Sequence, residues 1–303
     1  MELKNRFSWS KSRDENFREC LRKYYFHYYG YWGGWKLGAD PRTREIYVLK
    51  KLASRPVWAG DHVHRAIHRV LEQHRLGNAA EGFEQARDGM LERMRKEFRD
   101  SRQGLYRNDP KAHCGLFDHE YQIPTPPETW KETADQAAQH LESFFLSEVY
   151  GRLKNLPAAD WLEIEELASF DLNGLAVFVQ LDCALRENNR TVIFDWKTGA
   201  SQEGGHNIQM ACYALYAMSK WKVPPEEIVT AEVNLASGAI IDYPVHTEML
   251  EDIKGHIHDS AEEMLFPLDD PENNIAIEEA FDCVEDETPC HRCNFLKVCP
   301  KWR

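Results

Sequence analysis

The stretch VQLDCALRENNRTVIFDWKTG, residues 179–199, decides the fold. Two runs rich in β-branched and apolar residues, 176–182 and 191–195, flank the polar break Glu187-Asn188-Asn189, which is the pattern of an antiparallel hairpin. Asp182 ends the first run and Asp195 the second, with Lys197 two residues beyond. Side chains alternate along a strand, so Asp195 and Lys197 share a face, and hairpin pairing brings Asp182 beside them. Unpaired charges converging in a core are costly. Around a divalent cation they are useful. Carboxylates hold Mg2+ or Mn2+, the cation bridges phosphate oxygens, and an ammonium orients water or stabilises transition-state charge. A lone D-x-K is most often a strand end with an ordinary salt bridge, so this reading depends on its neighbours.

Downstream, a helix expected over 206–220 carries an apolar stripe of Ile208, Cys212 and Leu215. Gln209 and Tyr213 lie one turn apart on its edge, facing the lysine. Strands at 228–236 and 239–245 are joined by Ser237-Gly238. Upstream, Val63, Ala66, Ile67, Val70 and Leu71 recur at helical spacing over 61–75, with His64 at the margin of the stripe. His62, His68 and His74 read as surface or packing histidines. His64 and His68 are spaced as in H-E-x-x-H zinc helices, yet Arg65 stands where that motif needs its general base. Further helices are expected at 83–98 and 134–153, around the turn IPTPPET at 123–129. Helices followed by strands, a helix and strands predict an α/β chain with a mixed central sheet. We divide the single expected domain, 1–303, into an aromatic and basic segment (1–59), a mostly helical region (60–160), a sheet core (161–250) and a C-terminal helix with cysteines (251–303).

Apolar residues make up 43% of the chain and charged residues 29%, which is ordinary globular composition and excludes a disordered chain. The longest apolar run, about 175–181, is far short of the roughly 20 residues that span a bilayer. The opening MELKNRFSWSKSRD has no signal-peptide hydrophobic region, which predicts a cytoplasmic chain and no membrane partner. The net charge of −13 conceals +8 over residues 1–110 and −21 over the remainder. That basic third, with CLRKYYFHYYGYWGGW at 20–35, is an expected grip for nucleic acid through base stacking and phosphate pairing. Taken alone, the same stretch reads more readily as a helix whose aromatics bury against a core.

Eight cysteines in a cytoplasmic chain point to metal or redox chemistry. CHRCNFLKVCP places Cys290, Cys293 and Cys299 at C-x2-C-x5-C spacing, three ligands for one centre. The fourth is open between Cys283 nearby and a distant cysteine. Four thiolates suit a zinc ion or an iron–sulfur cluster equally well by softness. Cys114, Cys183 and Cys212 read as unligated thiols.

These islands together resemble the PD-(D/E)XK nuclease superfamily, in particular its RecB-like branch with iron–sulfur clusters. GDHVHRAI (60–67) is similar to the branch's helical G-x-x-V-H motif. Asp182 with FDWKTG is similar to its acidic motifs and catalytic lysine, and QMACY (209–213) to its Q-x-x-x-Y helix. The resemblance implies a restriction-endonuclease-like sheet, an added helical region and a cysteine-ligated cluster closing the termini. It implies His64, Asp182, Asp195 and the Trp196 carbonyl as ligands for Mg2+ or Mn2+, Lys197 as the catalytic lysine, and Gln209 and Tyr213 as its support. It makes Cys20 the fourth ligand, with Cys290, Cys293 and Cys299, of a [4Fe-4S] cluster, structural Zn2+ being the alternative. The implied activity is a metal-dependent DNA nuclease, an exonuclease on single strands or duplex ends, in repair, recombination, phage defence or CRISPR adaptation. The alternative is a catalytically silent nucleic-acid-binding or assembly subunit. The helical block at 76–160 matches no motif and is an expected surface for a protein partner. Gln180 stands where relatives often carry glycine, which places an amide against the substrate strand.

Overall fold

A computed structural model describes residues 3–199 and 208–302. The chain opens with α1 (Lys11–Glu19), α2 (Leu21–Tyr25) and α3 (Pro41–Lys50), then the short strand β1 (Leu52–Ala53). α4 (Arg55–Arg75) starts with Pro56 in its first turn, where the missing N–H costs nothing. Its stripe of Val63, Ala66, Ile67, Val70 and Leu71 is fully buried, each large side chain stabilising by roughly 1.5–3 kcal/mol. α5 (Phe83–Arg102), the one-turn α6 (Leu105–Asn108), β2 (Gly115–Leu116), α7 (Phe117–Glu120), α8 (Pro127–Leu146) and α9 (Glu148–Leu153) complete the helical region. The helix expected over 134–153 is therefore two helices, broken where Ser147 caps the second by accepting from the Tyr150 N–H.

Next come β3 (Trp161–Ile164), β4 (Leu167–Leu172), β5 (Leu175–Gln180), β6 (Cys183–Glu187), β7 (Arg190–Lys197), α10 (Ile208–Trp221), β8 (Ile228–Asn234), β9 (Ile240–Pro244) and α11 (Thr247–Leu265). Residue 206, the expected start of α10, lies outside the described residues. The central sheet has the order β3-β6-β7-β8-β9, with β7 and β8 parallel and the other neighbours antiparallel. A parallel pair needs a crossover, and α10 lies within it. Alternation along β7 sends Val192, Phe194 and Trp196 to the core shared with α4, α5 and α8. Ile193 goes to the opposite core with α10 and α11. Helices thus cover both faces.

The expected hairpin forms, but with a different first arm. β7 pairs with β6, Cys183 opposite Phe194, whereas β5 pairs with β4 in a separate two-stranded ribbon. Asp182 therefore ends no strand; it lies in the link between ribbon and sheet. The sequence from 175 to 185 contains no glycine, proline or asparagine, and the chain changes sheets there with Asp182 at the crossing. The Glu165 N–H holds the crossing point, 2.9 Å from the Leu181 carbonyl and 3.2 Å from that of Asp182.

The aromatic stretch at 20–35 contributes part of its rings to the core. Tyr24, Phe26 and Tyr29 are buried, and the Arg13 guanidinium donates to the Tyr24 hydroxyl at 3.0 Å and the Tyr29 hydroxyl at 2.9 Å. Phe26 packs on Phe295 with ring centroids 5.3 Å apart, and Arg22 pairs with Glu278 at 2.6 Å. Apolar burial and ion pairs join the two ends of the chain through Tyr24, Phe26 and Tyr29, whereas Tyr25, Tyr28, Tyr31, Trp32 and Trp35 stay partly exposed. No helix among the described residues is long and apolar enough to cross a membrane.

Candidate metal centre

Three elements converge at the link between β5 and β6. α4 brings His64, β7 brings Asp195 and Lys197, and α10 brings Gln209 and Tyr213. The approach of α4 is close: a Cβ on Gly60 would stand 2.9 Å from the Thr198 hydroxyl, so glycine lets the helix lie against the end of β7. His64 Nδ1 is 3.2 Å from Asp182 Oδ1 and 3.3 Å from Glu165 Oε1. One donor atom from each of His64, Glu165 and Asp182 lies within 4.8 Å of the others. The Trp196 N–H donates to Asp182 Oδ2 at 2.6 Å. A strand residue turns its N–H and carbonyl to the same edge, so the Trp196 carbonyl lies on the edge of β7 that its N–H shares with Asp182.

Asp195 is held from three sides. Its Oδ1 accepts from Gln209 Nε2 at 3.1 Å and lies 3.0 Å from the Tyr213 hydroxyl, and its Oδ2 pairs with Lys197 Nζ at 2.5 Å. Lys197 also donates to Gln209 Oε1 at 2.9 Å. The Tyr213 hydroxyl accepts from Gln209 Nε2 at 2.6 Å and lies 2.7 Å from the Gln180 carbonyl, which ties α10 to the end of β5. All six residues expected from the sequence are therefore brought together, with the Trp196 backbone.

The electrostatics suit a cation. Burial pushes the Asp182 carboxyl up to about 6, reinforced by Asp195 and Glu165 and opposed by His64. Burial disfavours the His64 imidazolium, but Asp182 and Glu165 outweigh it and raise His64 well above its ordinary value. Burial likewise opposes charge on Lys197, and Asp195 overcomes it, so the ammonium is retained. Burial, then Asp195, keeps the Tyr213 hydroxyl neutral. Oxygen donors crowded beside an imidazole are short of positive charge, which a hard divalent ion supplies.

Glu165 was missed by the sequence reading. It precedes β4 with a left-handed backbone (φ +51°), and its other oxygen accepts from Gln180 Nε2 at 3.0 Å. Gln180 thus braces an acid of the cluster, a partner its sequence did not announce. Of the remaining histidines, His62 is buried on Glu97 at 2.9 Å, His68 is partly exposed and His74 meets Tyr150 at 3.2 Å.

A family model of the PD-(D/E)XK nuclease superfamily matches residues 8–300. The chain belongs to the PD-(D/E)XK nuclease superfamily. Members are metal-dependent phosphodiester hydrolases, and the acids and lysine of this nuclease converge as such chemistry requires. No curated protein matches its sequence. The solved structure of SSO0001 shares 15% identity with the nuclease over 62% of this chain and 80% of its own, at a TM-score of 0.30, a likeness too loose to carry weight.

A second cluster lies between the ends of the nuclease. Cys20, Cys283, Cys290, Cys293 and Cys299 line one cavity with Arg22, Lys23 and Lys301. Both candidates for the fourth ligand are therefore present, and Cys283 Sγ lies 3.7 Å from Cys299 Sγ. Burial raises the Cys293 thiol to about 11 and the Cys299 thiol to about 12. Metal binding would have to displace those protons. Soft sulfurs among cations fit either an anionic iron–sulfur cluster or zinc thiolate. Cys183 and Cys212 are buried in the main cores, away from this cavity.

Proposed function

We propose that the chain is a Mg2+- or Mn2+-dependent deoxyribonuclease of the RecB-like branch, acting on single strands or duplex ends. The observation that carries this reading is the meeting of His64, Glu165, Asp182 and the Asp195–Lys197 pair at one point. His64, Glu165, Asp182, Asp195 and the Trp196 carbonyl would hold the cation. When bound, it supplies Lewis-acid activation of water and neutralises phosphate oxygens. Lys197, locked by Asp195 and Gln209, stays protonated, so it orients the attacking water and balances charge on phosphate rather than abstracting a proton. Gln209 and Tyr213 position Asp195. A chain that only bound or assembled would have no use for this expense of buried charge.

We further propose that Cys20, Cys290, Cys293 and Cys299 hold a structural [4Fe-4S] cluster, zinc being the alternative. The helical region at 76–160 remains our candidate partner surface on its outer side, its inner side being packed on α4. Labelled single- and double-stranded oligonucleotides, incubated with Mg2+, Mn2+ or EDTA, test the activity. Lys197→Ala should abolish cleavage with folding and DNA binding kept; a fully active variant would reject the assignment. Protein purified without oxygen should be brown, and a colourless, zinc-loaded preparation would remove the cluster.

A further inference from the structure

The ribbon beside the metal centre presents an apolar surface that the cleavage chemistry does not use. Along β5, Val177 and Val179 point into the core while Phe178 is 38% exposed and Gln180 faces solvent. β4 contributes Leu167, 70% exposed. In the register, Leu167 stands opposite Gln180 and Ser169 opposite Phe178, so Leu167 and Phe178 are diagonal neighbours on the outward face. Such neighbours lie about 7 Å apart, within reach of an aromatic side chain. The same face runs into the metal centre, because Gln180 Nε2 donates to Glu165 Oε2 at 3.0 Å and Glu165 belongs to the cluster with His64 and Asp182. Phe178 is one pleat further out, about 7 Å along the strand from Gln180.

The platform is fixed in place. The Phe178 N–H donates to the Trp9 carbonyl and the Trp9 N–H to the Ala176 carbonyl, each at 2.8 Å. β5 is thereby paired on both edges, by β4 and by the chain around Trp9. Trp9 is anchored in turn by its indole N–H on the Ser260 hydroxyl at 2.9 Å.

We propose that Phe178, with Leu167 beside it, stacks an unpaired base of the strand whose phosphate enters the metal centre. The proposal rests on the nuclease reading and narrows its substrate class to unpaired strands, single-stranded DNA or frayed ends. A base inside a duplex has both faces covered by its neighbours and offers none to the ring. An aromatic ring accepts every base through its π-face, so the site selects for strandedness and not for sequence. Phe178 is a specificity residue and takes no part in the bond-making step.

The test uses the full chain and short single-stranded oligonucleotides of mixed sequence, with Mn2+ for cleavage and EDTA for binding by fluorescence anisotropy. Parallel substrates carry an abasic site at successive positions from the cleaved phosphate. Phe178→Ala should raise KM and Kd for the intact strand about tenfold, in line with the loss of one stacked base. The effect should fall on KM more than on kcat, and Phe178→Trp should restore it. On the oligonucleotide lacking the stacked base, wild type and Phe178→Ala should behave alike. Thermal melting checks that each variant folds. A folded Phe178→Ala with unchanged KM and Kd, or with the same loss on every abasic substrate, overturns the platform while leaving the nuclease intact. A wild-type chain that neither binds nor cuts any oligonucleotide overturns both.

Discussion

Removing one hydroxyl separates the metal centre from the packing that supports it. Tyr213 is buried, and its oxygen accepts from Gln209 at 2.6 Å while lying 2.7 Å from the Gln180 carbonyl and 3.0 Å from Asp195 Oδ1. Tyr213→Phe keeps the ring and deletes all three contacts. A buried hydrogen bond to a charged group contributes about 1.5–3 kcal/mol, so we expect a loss of about 2 kcal/mol. An unfolding entropy of about 2 cal/mol/K per residue makes that a fall of about 3 °C in Tm for a chain of this length. Asp195 would retain Gln209 and Lys197, so Mn2+ affinity should weaken by about tenfold, the lower end for loss of a partner that orients a metal ligand. Tyr216→Phe is the control. Its hydroxyl, on the same helix, donates to the buried Glu163 carboxylate at 2.7 Å and bonds to none of the proposed metal ligands. It should lower Tm similarly and leave Mn2+ affinity unchanged. Differential scanning calorimetry and isothermal titration with Mn2+ read the two quantities. If Tyr213→Phe and Tyr216→Phe weakened Mn2+ binding equally, the effect would be general loosening, and the positioning role assigned to Tyr213 would fall.

Two further outcomes are expected. Glu165→Gln preserves shape and removes one charge from the cluster, so Mn2+ affinity should drop by about 10–100-fold; calorimetric titration showing wild-type affinity would take Glu165 out of the ligand set. Burial alone would raise the Glu97 carboxyl, but His62, Trp58 and Arg65 outweigh it and lower Glu97 to about 2. Its folded value lies below its unfolded one, so its contribution is complete above about pH 5 and is lost as pH falls toward 2. The Tm difference between wild type and Glu97→Gln should therefore be widest near neutrality and shrink across that window; a difference independent of pH would refute the ionic origin.

What could be read from the sequence, and what could not, follows from the range of the forces involved. Asp195 and Lys197 share a face because of strand alternation, and Gln209 and Tyr213 share an edge because of the helical repeat. Both are local periodicities, visible in one chain. The placement of Asp182 depended on where an unbroken run from 175 to 185 leaves one sheet for another. That point is set by pairing partners, β4 for one half and β7 for the other, and no glycine, proline or asparagine marks it. The aromatic segment is ambiguous for a related reason. Alternating rings and cations suit a nucleic-acid surface and a core alike, and Arg13, seven residues before that stretch, commits Tyr24 and Tyr29 to the core.

Glu165 shows the limit most clearly. Glu163, Glu165 and Glu166 stand together in the sequence with nothing to rank them. Glu163 is the last ordinary acid of β3, turned inward to Tyr216 and Lys220 on α10. Glu165 follows after the strand has ended, and its left-handed backbone swings its side chain off the alternation and toward His64. A positive φ at a residue with a Cβ is strained, and strain persists only where the surroundings over-determine it. Here they do, through the bonds from the Glu165 N–H to the carbonyls of Leu181 and Asp182. The same two bonds that set the crossing between ribbon and sheet therefore aim the third donor of the cluster. This makes the β5–β6 link the element that assembles the centre: a change that straightened Glu165 would displace its carboxylate from His64 and loosen Asp182 at once, even with every motif residue in place.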